Sequence, residues 1–264
     1  MKKFLSIILI VGLIFTLSTS AFAKDKNTSE GLTEKEKLVL INQVGLTEEE
    51  TTLYPIGLLR ELIANDGKKL STTTSKSYDL KSEGPSNGEI GTASLTNSDI
   101  TLNGAAFSTT SDVSGSKKII LVGNFQWKVD PFWTLTDKMS IGYPVTNKWY
   151  LRTSQGQVLG HSSETCNYVA TAWDCVTKSS PSNYDLGVGV AASFDLKGDA
   201  NVMKGWVQQY VYVVNTESGT SNVLFRYGHK TISGNVGVGI YPVGLAVEPA
   251  VNTETLDYII TFSW

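Results

Sequence analysis

The stretch Lys118-Ile119-Ile120-Leu121-Val122-Gly123-Asn124-Phe125-Gln126-Trp127-Lys128-Val129 repeats with a period of two. Ile119, Leu121, Phe125, Trp127 and Val129 fall on one side of an extended chain, and Lys118, Asn124, Gln126 and Lys128 fall on the other. That alternation predicts a strand with one apolar and one mixed face. Further along, Trp206 to Val214 is apolar or aromatic except at Gln208 and Gln209. Such a strand is expected to be covered on both faces. Val223, Phe225, Tyr227 and His229 alternate with Leu224, Arg226 and Lys230. Leu256, Tyr258, Ile260, Phe262 and Trp264 face away from Asp257, Thr261 and Ser263. Short breaks rich in Asn, Gly and Ser separate these runs. The pattern predicts a mainly β fold, an antiparallel sandwich or barrel-like domain over residues 70–264.

Upstream the period changes. Thr33-Glu34-Lys35-Glu36 reads as a capping box, in which the Thr33 oxygen takes a backbone N–H and Glu36 reaches back. Leu38, Leu40, Ile41 and Val44 then form a helical stripe that Gly45 ends. Thr47-Glu48-Glu49-Glu50 repeats the cap, and a third helix starts near Pro55 with Ile56, Leu58, Leu59, Leu62 and Ile63. Residues 31–67 are therefore expected to form a small three-helix module, too small to hold much core alone and bound to dock on something else. From Leu70 to Thr110 the chain is rich in Ser, Thr, Gly and Asn, with brief strand signals at Tyr78–Leu80 and Ile100–Leu102.

The chain opens like an exported protein. Lys2 and Lys3 precede an apolar run from Phe4 to Leu17, and Ala21-Phe22-Ala23 supplies small residues at −3 and −1 of a cut before Lys24. Residues 1–23 are thus expected to be a cleaved signal peptide, followed by a polar linker over 24–30. The run is shorter than the roughly 20 residues of a spanning helix. Cleavage would leave 20 basic and 25 acidic side chains, a net charge of −5. That balance provides no basic footprint for nucleic acid and no polybasic grip on anionic lipid. The two cysteines, Cys166 and Cys175, are nine positions apart and expected to pair outside the cytoplasm. Closing so short a loop is worth roughly 2.5–3 kcal/mol on the chain-entropy model. A zinc site would need further ligands, so no metal and no cofactor is expected.

Catalytic chemistry finds little support. His161, in Gly160-His161-Ser162-Ser163-Glu164, reads as a surface-loop residue, and His229 as a strand residue beside Phe225 and Tyr227. Neither lies in a hydrolase elbow or a His-Glu-x-x-His pattern. Ser114-Gly115-Ser116-Lys117 matches Ser-x-x-Lys in form, but on a turn rather than a helix. Asp130, Asp137, Asp195 and Asp199 read as turn or strand-end residues. The alternating Gly/aliphatic segments Leu186–Val190 and Val236–Ile240 precede no helix, which argues against phosphate cradles. Aromatics concentrate between Trp127 and Tyr150. Trp133, Tyr150 and Trp173 lie nearest to turn-like residues and are the candidate exposed binding rings, suited to stacking on carbohydrate or engaging a cell surface. The leading expectation is a secreted, non-enzymatic binding protein. The alternatives are a membrane-active β protein, signalled by a long alternating hairpin folded against the domain, and a hydrolase, signalled by a cleft that gathers histidine and carboxylates. A final aromatic after Tyr258, Ile260 and Phe262 also ends many outer-membrane barrels. The two-faced apolar run at Trp206–Val214 speaks against that plan.

Three stretches carry a resemblance. They are Leu46-Thr47-Glu48-Glu49-Glu50 with Leu58-Leu59-Arg60-Glu61-Leu62, Gly205-Trp206-Val207-Gln208-Gln209-Tyr210, and Phe225-Arg226-Tyr227-Gly228-His229-Lys230. The chain resembles uncharacterised secreted proteins of Gram-positive, Bacillus-like bacteria. The resemblance implies export and a β-rich fold, and it carries over no functional residues.

Overall fold

The computed structural model describes residues 31–71, 95–232, 235–241, 244–248 and 252–264. The signal-peptide and linker readings and the Tyr78–Leu80 strand reading lie outside the described residues. Among the described residues, no helix is long and apolar enough to cross a membrane.

Helix α1 (Glu34–Val39) carries the capping box, with both reciprocal hydrogen bonds between Thr33 and Glu36 in place. It runs on as one π-helical turn, Leu40–Val44, and stops at Gly45, whose φ of 91° few side chains tolerate. Thr47 and Glu50 exchange the same pair of bonds ahead of α2 (Glu50–Leu53). Pro55 caps α3 (Ile56–Ala64), which buries Leu58, Leu59 and Leu62. These helices belong to the same compact unit as the sheets.

Two antiparallel sheets make the body. The first has six strands, in the order β1 (Lys68–Lys69), β2 (Ile100–Thr109), β3 (Ser116–Trp127), β11 (Ala200–Val214), β7 (His161–Val169) and β8 (Ala172–Lys178). The second has five, in the order β15 (Thr253–Ser263), β12 (Thr220–Lys230), β4 (Thr136–Gly142), β10 (Gly189–Asp195) and β9 (Asn183–Asp185). Two short hairpins, β5 (Thr153–Ser154) with β6 (Gln157–Val158) and β13 (Val238–Tyr241) with β14 (Gly244–Val247), form separate two-stranded sheets. Of the two expected architectures the chain adopts the sandwich: the sheets are open and face each other across one core.

Ile119, Leu121, Phe125 and Trp127 enter that core, as do Val223, Phe225, Tyr227, Leu256, Ile260 and Phe262. Phe225 fills its centre because two glycines make room for it. A Cβ on Gly104 would lie 2.3 Å from the Phe225 ring and one on Gly123 2.6 Å from it. Phe125 packs edge-on against Phe194 at 4.9 Å and tilts against Tyr227 at 4.6 Å.

The outer face of the first sheet is divided. Toward the β2 C-terminus and the β3 N-terminus, Phe107, Ile120 and Tyr210 occupy neighbouring outward positions. The helices cover this part: Tyr54 meets Phe107 edge-on at 5.8 Å, and the Tyr210 hydroxyl donates to Glu61 at 2.5 Å. Toward the opposite end the outward residues Lys204 and Trp206 have partners within the sheet: Lys204 lies over the Trp173 ring, and Trp206 Nε1 donates to Glu164. On the second sheet β14 lies over β4 and β12. Val247 N–H donates to the Ser140 hydroxyl, and a Cβ on Gly142 would lie 2.4 Å from the Leu245 carbonyl oxygen.

Candidate functional site

The strand directions gather one set of loops at a single end of the sandwich. Chain 128–135 leaves β3 and enters β4, residues 196–199 join β10 to β11, and Ala170-Thr171 joins β7 to β8. The middle loop ties the other two together. Leu196 N–H donates to the Leu135 carbonyl, and Lys197 forms an ion pair with Asp174. Asn167 Nδ2 also donates to the Asp195 carbonyl at 3.2 Å.

Aromatic rings stand on both flanks of this tied loop. Phe132 is 87% exposed and Trp133 43%, and the two rings pack edge to face at 4.9 Å. Val129 beside them is half-exposed. On the other flank Trp173 is 46% exposed, lies 5.2 Å from the Tyr168 ring and carries the Lys204 ammonium over its face at 4.4 Å. Large apolar side chains left in water cost hydration free energy.

The structure thus brings two of the three candidate rings, Trp133 and Trp173, to the same end and places Tyr150 elsewhere. Tyr150 pairs with Tyr212 as an isolated bridge, stacks on its ring at 5.8 Å and shares a 3.0 Å hydrogen bond with Ser116. Phe132 and Tyr168 were not among the candidates. Phe132 sits next to Trp133 in a Pro-containing loop, a local signal that was available in the sequence. Cys166 and Cys175 are joined as a disulfide across a register pair of β7 and β8. It braces the Trp173 hairpin. Glu164 lies close to both sulfurs, but a disulfide offers no thiolate to a metal.

His229 is the strand residue expected, in β12 beside Phe225 and Tyr227, whereas His161 departs from expectation. His161 is the first residue of β7 rather than a loop residue, and it is buried with Nδ1 3.2 Å from Gln209 Oε1. Its Nε2 has no partner among the described residues. Burial pushes its pKa down to about 4, an effect the Gln209 contact only partly offsets. Asp137, read as a turn or strand-end residue, stands at the start of β4 and is fully buried. It accepts from the Tyr227 hydroxyl at 2.5 Å and from Lys230 N–H at 2.9 Å, and lies 2.9 Å from His229 Nδ1. Trp127 Nε1 donates to the Tyr227 oxygen at 3.1 Å and closes the network. Burial raises the Asp137 pKa, and His229, Tyr227 and the Lys230 amide each pull against that rise. This cluster pins β4 to β12 from inside the core; no serine, threonine or cysteine hydroxyl or thiol bonds to His229 among the described contacts. It is an interior polar tie.

A pH dependence follows from His161. Its folded pKa lies below the 6.5 of the free side chain, so the unfolded chain binds the proton more readily. Stability is full above pH 6.5 and falls as the pH drops toward 4. A shift of this size corresponds to about 3 kcal/mol. Urea denaturation at pH 7.5 and pH 4 is expected to show that loss in the wild type. In His161→Leu the loss should be smaller by about the same amount. Equal pH dependence in the two proteins would remove His161 as the cause.

No protein-family model matches the sequence, and no curated protein matches it. Solved structures give distant likenesses. The Clostridium perfringens delta-toxin aligns over 75% of this chain and 88% of that chain, at 9% identity and a TM-score of 0.32. The Clostridium perfringens NetB toxin in the membrane inserted form aligns over 75% and 97%, at 8% and 0.33. A pore forming protein aligns over 62% and 89%, at 7% and 0.28. At these values the likeness to toxins is weak and carries no argument about this chain.

Proposed function

We propose that this chain is a secreted, non-enzymatic binding protein that attaches to an extracellular surface through the aromatic end of its sandwich. The observation that carries the reading is the pairing of exposed Phe132 and Trp133 with exposed Trp173 across one braced loop. Rings held on a disulfide-tied hairpin and a loop anchored at Leu135 lose little freedom on binding. Export rests on the amino-terminal pattern of residues 1–23. The histidines, one tied into the core and one buried at a strand start, leave the hydrolase reading without a positioned base in a cleft.

The test is sedimentation of the mature protein with intact Gram-positive cells, alongside dye-loaded phosphatidylcholine–phosphatidylglycerol vesicles. The wild type is expected to sediment with cells and to leave the vesicles sealed. Trp133→Ala combined with Trp173→Ala should weaken cell binding by about tenfold or more, the equivalent of 1.4 kcal/mol. Tyr150→Ala should change it little. Equal binding by the double variant would overturn the reading, and dye release by the wild type would replace it with the membrane-active one.

A further inference from the structure

Along β7, Glu164 and Cys166 are two positions apart and so share a face of the first sheet. Across the ladder Glu164 pairs with Thr177 of β8, and Cys166 with Cys175. Side chains at paired positions point to the same face, so a carboxylate, a hydroxyl and two sulfurs meet there. The Glu164 carboxylate and both sulfurs lie within 4.8 Å of one another, and Glu164 Oε1 is 3.4 Å from Cys166 Sγ. The carboxylate is held from two sides. Trp206 Nε1 of β11 donates to Oε1 at 3.1 Å, and the Thr177 hydroxyl donates to Oε2 at 3.0 Å. Solvent reaches the spot through β8, an edge strand on which Cys175 and Thr177 are both exposed. Lys204 pairs with Cys166 from the β11 side, and its ammonium lies over the Trp173 ring at 4.4 Å.

We infer that Glu164, Cys166 and Cys175 become a zinc site when the disulfide is reduced, so that a bound Zn2+ takes over the bracing of the β7–β8 hairpin. The site does not depend on what the aromatic end binds. The reductant is a dithiol. Its two sulfurs join to each other, and two electrons and two protons pass to Cys166 and Cys175, which become thiols. Zn2+ then displaces both thiol protons to solvent. It binds the two thiolates and one Glu164 oxygen, with water in the fourth position of a tetrahedron. The donor set selects the metal: two soft thiolates suit zinc, whereas calcium and magnesium take oxygen ligands. Zn–S bonds of about 2.3 Å place the sulfurs about 3.8 Å apart. Cys166 is buried in the middle of β7, so the exposed Cys175 makes that movement, by rotation about its Cα–Cβ bond on the strand that ends the sheet. A carboxylate oxygen has two lone pairs, so Glu164 can bind the metal and keep both of its hydrogen bonds. Trp206 and Thr177 then act as the outer partners that orient a metal ligand.

The test uses mature protein reduced with a phosphine, freed of it under nitrogen, and titrated with Co2+ and then Zn2+. One metal ion per chain is expected, with the near-ultraviolet absorption of cobalt–thiolate bonds, which zinc abolishes. About two protons should be released per metal bound. Zinc should raise the thermal midpoint of the reduced protein, and the oxidised protein should bind none. Thr177→Ala, an exposed substitution that only frees the carboxylate, should weaken zinc binding by about tenfold. Glu164→Gln should weaken it further, because a carboxamide is a poor zinc ligand, yet it keeps an acceptor for Trp206 and Thr177. Its oxidised form should therefore melt with the wild type. Replacing both cysteines by serine should remove the cobalt absorption. Absence of saturable binding by the reduced protein overturns the inference. So does equal zinc affinity in Glu164→Gln, or equal binding by the oxidised protein or the double serine variant. A reduced protein without a cooperative melt overturns it too, since the site needs β7 and β8 in register.

Discussion

Deletion of Asp257–Trp264 is expected to leave a chain that does not fold at 25 °C. Strand β15 pairs with β12 along eleven register positions, from Lys230–Thr253 to Thr220–Ser263. The deletion removes eight residues of the described carboxyl-terminal segment, and with them most of that ladder. It also removes Tyr258, Ile260 and Phe262 from the core, and Trp264, which packs on Trp149 at 5.5 Å. Truncating one buried Phe costs about 3–5 kcal/mol and one buried Ile about 2–5. Those losses together match or exceed the whole 5–15 kcal/mol that holds a typical domain together. The deletion further exposes an unpaired edge along β12, with Leu224 and Phe225 in sequence, which invites aggregation. Far-UV circular dichroism and recovery from the soluble extracellular fraction read the outcome. A truncated protein with native ellipticity and a cooperative melt would show that β15 is dispensable. Full-length protein is expected in that soluble fraction without detergent, since its strands make two open sheets around a side-chain core rather than a cylinder with a polar lumen.

How far the sequence discloses this molecule depends on the range of the interaction concerned. The strands β3, β12 and β15 were legible because alternation is a local signal, and the structure puts Ile119, Leu121, Phe125 and Trp127 on one face as the period of two requires. The capping boxes at Thr33 and Thr47 are local as well, and both are present. Trp206–Val214 was expected to be covered on both faces. Tyr210 bears this out through its bond to Glu61, while Trp206 Nε1 donates within the sheet to Glu164. Where the helices stop along that face is a tertiary fact with no local signal. The burial of Asp137 is hidden for the same reason. It reads as a turn or strand-end residue, and its partners Tyr227 and His229 lie about ninety residues away. One hint was available: His229 shares the inward face with Phe225 and Tyr227, and a polar ring in a core requires a buried partner. The alignment across the first sheet is the extreme case. Asn103, Asn124, Trp206 and Glu164 become neighbours only through the order β2-β3-β11-β7, which no single segment of the chain encodes.

The second large effect is expected at Arg226 and Asp257, where a charge pair lies beneath β14. Arg226 Nε donates to Asp257 Oδ1 at 2.6 Å and Nη2 to Oδ2 at 2.7 Å, a two-pronged contact on a paired register position of β12 and β15. Both side chains are nearly sealed from water, at 8% and 4% exposure. Nη1 reaches the Val247 carbonyl at 3.4 Å, and the guanidinium lies 5.7 Å from the Tyr241 ring. The hairpin β13–β14 is therefore held down in part by this arginine. Asp257→Ala would leave a buried guanidinium without its counter-charge, which typically costs about 3–5 kcal/mol. Arg226→Met should cost a similar amount by stranding the carboxylate. Replacing both, as Arg226→Met with Asp257→Leu, removes the desolvated charges together and fills much of the same volume, so the double variant should recover most of the loss. Urea midpoints of the four proteins at pH 7.5 decide the matter. Additive losses in the double variant would mean that the two side chains act separately, and single losses below about 1 kcal/mol would place them with exposed surface pairs. The recovery also separates stability from the hold on the hairpin. With Arg226 gone, Val247 loses its only side-chain donor among the described bonds to its carbonyl. Hydrogen exchange at Val238–Tyr241 and Gly244–Val247 should therefore stay faster than in the wild type even where the midpoint has returned.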